Sequence, residues 1–467
     1  MTTTITRRFT VFACAVVLGG CSVVPIYHRP DVPLPRSWAT PTTAQNAPAA
    51  ALPAAQWWRS FNSPELNALV AQGLAQGFDL RVALSRVEQA RGRAQIAGAA
   101  GRPAVDAGVS INHGSGTGNN TRSVSALASF ELDFWGRNHA VAQSAEALAN
   151  ASQFDADTVR ITLVASIVDN YFQVLSLDER IGIAQFIAED AQRILSLVEK
   201  QAELGATSQL EVAQQRNALQ SVQALLPLLL RERVATRNQL AVLIGVPPQG
   251  FSIVHAGFSG ISIPVVAAAV PADVMQNRPD IRAAEERLRA ANFDIGAARA
   301  AFYPSVSLSA QIGHSFSPPA ALWNVGASLL QPLFDAGQRE GQLRVDRAHA
   351  EELVASYRQT VIQALQDVEN QLDSTQNLDA ADRLGQAALN SAQEAQRLAR
   401  IRYERGATDF LSLLTAERTR FQSEDSLAQV RLQKLQAIVG LYRALGGGAF
   451  AADAPAASIP SVPSSRG

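Results

Sequence analysis

The chain has 467 residues, with 40 basic and 41 acidic side chains and a net charge of −1. That balance excludes a polyanion-binding surface, because nucleic-acid binders carry a basic excess. Hydrophobic residues reach 47% while aromatic ones stop at 6%, and small apolar side chains suit closely packed helices better than a bulky globular core.

Residues 1–20 read as an export signal. Arg7 and Arg8 form a basic region, and Phe9 to Leu18 is an apolar run too short to span a bilayer as a helix. Leu18-Gly19-Gly20-Cys21 then resembles a bacterial lipobox. The resemblance implies cleavage between Gly20 and Cys21, with diacylglycerol and an N-acyl chain placed on Cys21, a stable double anchor. It also makes Ser22 permissive for transfer to the outer membrane. The other cysteine, Cys14, lies inside the signal, so no disulfide forms within the mature chain. Residues 21–60 carry Pro25, Pro30, Pro33, Pro35, Pro41, Pro48 and Pro53 and read as an extended lipid-anchored strap.

From about Ser63, Leu66, Leu69, Val70 and Leu74 share one helical face. Two alternating strands follow. In 104–113, Val105, Ala107, Val109 and Ile111 alternate with Asp106, Gly108, Ser110 and Asn112. In 123–134, Val124, Ala126, Ala128, Phe130, Leu132 and Phe134 alternate with a mostly polar row that includes Glu131 and Asp133. A proline-free stretch from 138 to 204 is long enough for a helix of about 100 Å. It ends at Gly205-Ala206-Thr207, where Ser208 and Glu211 have capping-box spacing. A glycine stop followed by a capping residue is a helical hairpin tip. Pro227 reads as a bend in the return helix. Residues 246–275, rich in proline, read as a linker, and 447–467 as a disordered tail.

The same order then recurs about 200 residues later, with a one-residue drift. Strands at 305–313 and 322–334 precede a helix at 339–405 and a tip at Gly406-Ala407-Thr408. Arg102-Pro103 matches Tyr303-Pro304, and Val168-Asp169-Asn170 matches Val368-Glu369-Asn370. Two repeats result, 61–245 and 276–446.

Four period-two segments of this length match transmembrane β-strands, and no later segment suits a transmembrane helix. Four strands cannot close a barrel, since the smallest membrane barrels have about eight, and lipid tolerates no open edge. The barrel must be shared between copies: two copies give eight strands, three give twelve. Long helices do not fit in the bilayer and must project from it.

Reaction chemistry is not written in the chain. The six histidines form no metal-ligand spacing, and phosphate and dinucleotide loops are missing. No cofactor beyond the covalent lipid, no metal, no nucleic acid and no enzymatic activity are expected.

Several stretches together resemble the outer-membrane efflux factor family of TolC-like channels, and within it the NodT-type lipoproteins paired with RND pumps. They are Trp57-Trp58-Arg59-Ser60-Phe61, Asp79-Leu80-Arg81, Arg278-Pro279-Asp280-Ile281-Arg282-Ala283-Ala284-Glu285 and Gly296-Ala297-Ala298-Arg299-Ala300-Ala301-Phe302-Tyr303-Pro304. The resemblance implies a mixed α/β membrane protein: a homotrimer with a twelve-stranded β-barrel in outer-membrane lipid and a periplasmic α-helical barrel. It implies a periplasmic adaptor and an inner-membrane RND pump as partners, and export of drugs or other small molecules.

The residues at the tips, Gly205, Ala206, Thr207, Gly406, Ala407 and Thr408, become adaptor-contact candidates. Tyr403, Gly406, Leu411 and Leu413-Leu414-Thr415-Ala416-Glu417-Arg418 match the family's second tip, with Thr415 and Glu417 in place of its aspartate and glutamine. The gate candidates are therefore Leu210, Gln214, Leu411, Thr415, Glu417 and Asp409. Either the constriction is neutral, or Asp409 or Glu417 supplies its acid. Glu131 and Asp133 are candidate lumen acids, or they bond to loops at the barrel's base. The competing readings are a periplasmic coiled-coil lipoprotein scaffold without a pore, and the same channel serving type I protein secretion or metal efflux.

Overall fold

The structure, a computed structural model, describes residues 23–40, 54–113, 121–254, 257–266, 271, 276–316 and 319–448. Gly20, Cys21, the signal and residues 449–467 of the tail lie outside the described residues. The chain divides into two compact units. The first gathers Met1–Pro33, Ala83–Ala156 and Pro279–Val361, and the second Leu34–Val82, Asp157–Arg278 and Ile362–Gly467. Each unit therefore draws on both sequence repeats.

After a 3-10 turn at Trp57–Phe61 come α1 (Pro64–Gln76), α2 (Phe78–Ala99), β1 (Ala104–Asn112), β2 (Thr121–Leu132), α3 (Arg137–Glu203) and α4 (Gln209–Leu243). They are followed by α5 (Pro279–Ala300), β3 (Ser305–Phe316), β4 (Pro319–Leu330), α6 (Gln338–Glu404) and α7 (Phe410–Ala444). Helices of 22, 67 and 35 residues occur twice in the same order. Their starts are 78 and 279, 137 and 338, 209 and 410, the same offset each time. The one-residue drift read from sequence is thus absent from the helices, and in this register Asp169 lies opposite Asn370 instead of Glu369. Helix α4 continues through Pro227, so the bend expected there does not interrupt it. Among the described residues no helix is long and apolar enough to cross a membrane.

The first unit holds one antiparallel sheet in the order β1-β2-β3-β4. Its register sets Ala107, Ala126, Ile312 and Trp323 in one row and Val105, Ala128, Ala310 and Val325 in the next. The intervening row is Asp106, Leu127, Gln311 and Asn324. Because side chains alternate faces, one face is apolar and the other is mostly small and polar.

Several strand ends differ from the pattern, and β3 runs on to Phe316 instead of ending at 313. β2 stops at Leu132, because Asp133 Oδ2 accepts the His139 amide at 2.8 Å and opens α3 instead. β4 begins at Pro319 and stops at Leu330; Pro332 offers no amide to a ladder, although Leu333 and Phe334 prolong the alternation.

The same unit explains the sequence block that begins at Gly296. A Cβ at Gly296 would lie 2.5 Å from Val24, so only glycine lets the strap lie against α5. Asn292 then donates to the Pro25 carbonyl at 2.7 Å, Arg289 sits over the Tyr27 ring, and Arg29 donates to the Tyr357 hydroxyl at 2.8 Å.

The core of the second unit is built around the Trp57-Trp58-Arg59-Ser60-Phe61 motif. Trp57 stacks on Tyr442 at 4.7 Å, and Phe61 meets Phe172 edge-on at 4.9 Å. Ser63 caps α1 by accepting the Leu66 amide and shares a hydrogen bond with Tyr171. Buried Arg278 donates to the last-turn carbonyl of Ala444 in α7 and pairs with Asp367. Glu369 accepts the amides of Ala39 and Thr40 and the Thr40 hydroxyl, which pins the far part of the strap.

Candidate functional site

The tips end their long helices in the same way. Gly205 and Gly406 have φ of +74° and +69°, the left-handed region that glycine enters without a Cβ penalty. The Gly205 amide donates to Ala202 and the Ala206 amide to Gln201; the Gly406 and Ala407 amides donate to Tyr403 and Arg402. This paired pattern satisfies the last helix carbonyls. The return helices start with matching caps: Ser208 Oγ accepts the Glu211 amide and Asp409 Oδ1 the Ser412 amide. The Ser412 side chain, and after it the Ser412 amide, hold the exposed Asp409 carboxyl below its ordinary range.

Behind the tips the two hairpins pack on each other. Phe410 joins Ala191, Ile194, Leu195, Val198, Val212 and Leu219 in one buried cluster. Tyr403 meets Phe410 edge-on and donates to Gln201 at 3.1 Å. Leu210 and Leu411 remain 65% and 59% exposed. Thr415 spends its hydroxyl proton on the Leu411 carbonyl at 2.7 Å.

Glu417 points elsewhere. Its Oε1 is closed from solvent without a hydrogen-bond partner, and burial together with the charge of Asp190 pushes the carboxyl up to about 7. It is an inward-facing acid, not an exposed one. Gln214 is half-buried and lines a cavity of about 470 Å³ shared with Glu417.

At the sheet, the apolar face is bare. Val105, Trp323 and Val325 are 71%, 79% and 75% exposed. Among the described residues β1 and β4 each have one strand neighbour, so each leaves an edge of unpaired backbone groups. Glu131 forms a fork with Arg137, with contacts of 2.9 and 2.8 Å, and Asp133 caps the start of α3. Both acids proposed for a lumen thus bond to the first turn of that helix. Trp135 stacks on Tyr303 at 4.7 Å and donates to the Pro304 carbonyl, fastening β2 to the start of β3. Among the described residues no cluster of three His, Cys, Asp or Glu is placed to hold a metal.

The sequence profile of the family described as outer membrane efflux protein matches residues 69–246 and 270–447. The chain belongs to that family. The pyoverdine export outer membrane protein OpmQ of Pseudomonas putida KT2440 is 35% identical over 472 residues, covering 97% of this chain and 99% of the relative. The toluene efflux pump outer membrane protein TtgC of Pseudomonas putida is 29% identical, covering 97% and 98%. The outer-membrane channel OprN superposes with a TM-score of 0.83 at 30% identity, covering 92% of this chain and 99% of that one. This efflux protein is therefore an outer-membrane component of an efflux system, with a TolC-like fold.

Several residues at the site carry no sequence signal. Gln215 is fully buried with its Oε1 unpartnered. Arg180 reaches Asp425, and Arg400 reaches Asp190. Each pair joins helices more than 200 residues apart in sequence, where periodicity along one helix cannot reveal the partner.

Proposed function

We propose that three copies assemble into a tunnel across the outer membrane, each giving four strands to a twelve-stranded barrel and two hairpins to a periplasmic helical barrel. The observation that carries this reading is the sheet, with an exposed apolar face over all four strands and two unpaired edges. Lipid accepts the apolar face but not the edges, so copies join edge to edge until the barrel closes. Strands of 9 and 12 residues suit a bilayer. The twice-occurring helices of 22, 67 and 35 residues support two similar wall segments per copy, the product of a duplicated unit.

Cys21 carries the lipid anchor, and the strap pinned on α5 and α6 follows it. The tips at Gly205 and Gly406, with Ala206, Thr207, Ala407 and Thr408, are the surface for a periplasmic adaptor, which couples the channel to an inner-membrane RND pump. Leu210 and Leu411 form the closed constriction, with Gln214 and Thr415 beside them. Because Asp409 caps a helix and Glu417 faces inward, that constriction is apolar. The cargo is drugs or other small organic molecules, supported by relatives named for pyoverdine and toluene.

Light scattering of the purified protein in mild detergent, with conductance in planar bilayers, tests the assembly. A trimeric mass and discrete conductance steps are expected, and a monomeric mass overturns the shared barrel. Restoration of drug export in cells lacking their own channel tests the cargo.

A further inference from the structure

Glu417 lies on α7, two turns beyond the cap at Asp409. Around it stand Ile187, Asp190 and Ala191 of α3, Gln396 of α6 and Arg420 of its own helix. On its other side the cavity of about 470 Å³ brings in Gln214, Gln215 and Asn217 of α4. Gln215 Nε2 donates to the Ala191 carbonyl at 2.9 Å, while its Oε1 has no donor. Glu417 Oε1 has none either. Gln215 and Glu417 thus line one cavity, and each keeps one acceptor oxygen closed from solvent and without a donor. An ionised carboxylate only accepts, whereas a protonated one brings a donor, and a buried acceptor without a donor is costly.

The nearby cations are engaged elsewhere. Arg400 pairs with Asp190 at 3.2 Å and with Glu404 at 3.5 Å, and Arg193 pairs with Asp190 at 3.1 Å. Arg420 pairs with Glu424 at 3.0 Å and sits over the Phe186 ring. No ion pair to Glu417 is formed among the described residues, and Asp190 adds a like charge. Arg418 lines the same cavity, which disfavours a metal or an organic cation as its occupant. Gln396 donates to the carboxyl, and the charges of Arg400 and Arg420 only partly offset its burial; for the unpartnered Oε1 the donor that fits is a proton.

We propose that Glu417 is a proton-binding site between the two hairpins, protonated while they are packed and ionised when they part, so that periplasmic pH sets how tightly the tips hold together. As a statement about gating, this rests on the tips being the channel's gate. The direction follows from linkage. The packed carboxyl titrates at about 7 and the solvated one at the ordinary 4.5, so packing is favoured fully below the lower value. That advantage is lost as pH rises through the higher one, and acid closes while alkali loosens.

Amide hydrogen exchange over 409–425 of the purified full-length protein, corrected for intrinsic rates, tests this at about pH 5.5 and 8.5. In the wild type, protection should fall at least about tenfold between them, a tenfold change corresponding to one pKa unit. Glu417→Gln keeps the shape and a permanent donor, so its protection should stay high at both. A pH-independent wild type, or a wild-type drop in Glu417→Gln, overturns the site. Asp190→Asn provides a second test: removing the like charge should move the midpoint to lower pH, and an unmoved or raised midpoint counts against the proposal. Bilayer conductance over the same range should rise with pH in the wild type alone. Exchange that follows pH while conductance does not refutes the coupling to gating. No conductance at all refutes the channel reading, since exchange is read without a pore.

Discussion

Arg180 and Asp425 close a fork between the two hairpins: Nε donates to Oδ1 at 2.6 Å and Nη2 to Oδ2 at 3.3 Å. The side chains are largely buried, and Gln429 steadies the acid from the next turn of α7 at 2.6 Å. A planar guanidinium meeting a carboxylate along both edges fixes orientation as well as distance. The fork therefore sets how α3 and α7 lie against each other.

Arg180→Ala should lower stability by about 1–3 kcal/mol, since it removes a charge-assisted fork and leaves a shielded carboxylate short of donors. The measurement is the apparent Tm at a fixed scan rate. In a double-mutant cycle with Asp425→Ala, the two single losses should sum to more than the double loss. Strict additivity would show that the fork contributes nothing.

The hairpin stops predict opposite signs for one substitution. Gly205→Ala and Gly406→Ala should each cost about 1–2 kcal/mol, because both hold left-handed φ and nothing crowds an added Cβ. Gly182→Ala, inside α3 with equally open space, should instead stabilise by up to about 1 kcal/mol. Calorimetry of the three variants checks this, and a uniform sign would refute the assignment.

These tips were legible because glycine and a short polar cap act locally. So were the strands, since Val105, Ala107, Val109 and Ile111 keep period two, and the register sets all four strands' apolar rows on one face. Their ends were less so: Phe134 continues the alternation, yet Asp133 bonds to the helix beyond it. The inward turn of Glu417 was illegible, because its match to the family's second tip placed it among the acids that could line the constriction. Its setting depends on Asp190, Gln396 and Gln215, which arrive from three other helices. The clasp of Glu369 on the strap was hidden for the same reason.

The sheet predicts a face-dependent response. Val325 lies in the apolar row and Asn324 in the other. Val325→Arg should block stable insertion, since an arginine on the lipid face costs about 2–4 kcal/mol at the midplane. Asn324→Arg should insert normally and alter conductance and ion selectivity instead. Outer-membrane fractionation separates the two, and equal insertion would refute the facing.

Asp169 gives a pH prediction away from the tips. It lies on α3 with Oδ1 closed from solvent and unpartnered. Burial pushes its carboxyl up to about 7, and the charge of Arg443 only partly offsets this. The folded state thus holds a proton that the unfolded state releases near the ordinary 3.8. Folding carries no penalty from this group below that value, and the penalty grows as pH rises until it is complete above about 7. Asp169→Asn removes the charge at every pH. It should raise apparent stability at pH 8 by about 1–3 kcal/mol, less than the full shift implies because the fold relaxes around a buried charge. At pH 4 the gain should nearly vanish. Thermal scans of both proteins across this range give the answer: a gain that is constant with pH, or largest in acid, would show that Asp169 is ionised and satisfied in the fold.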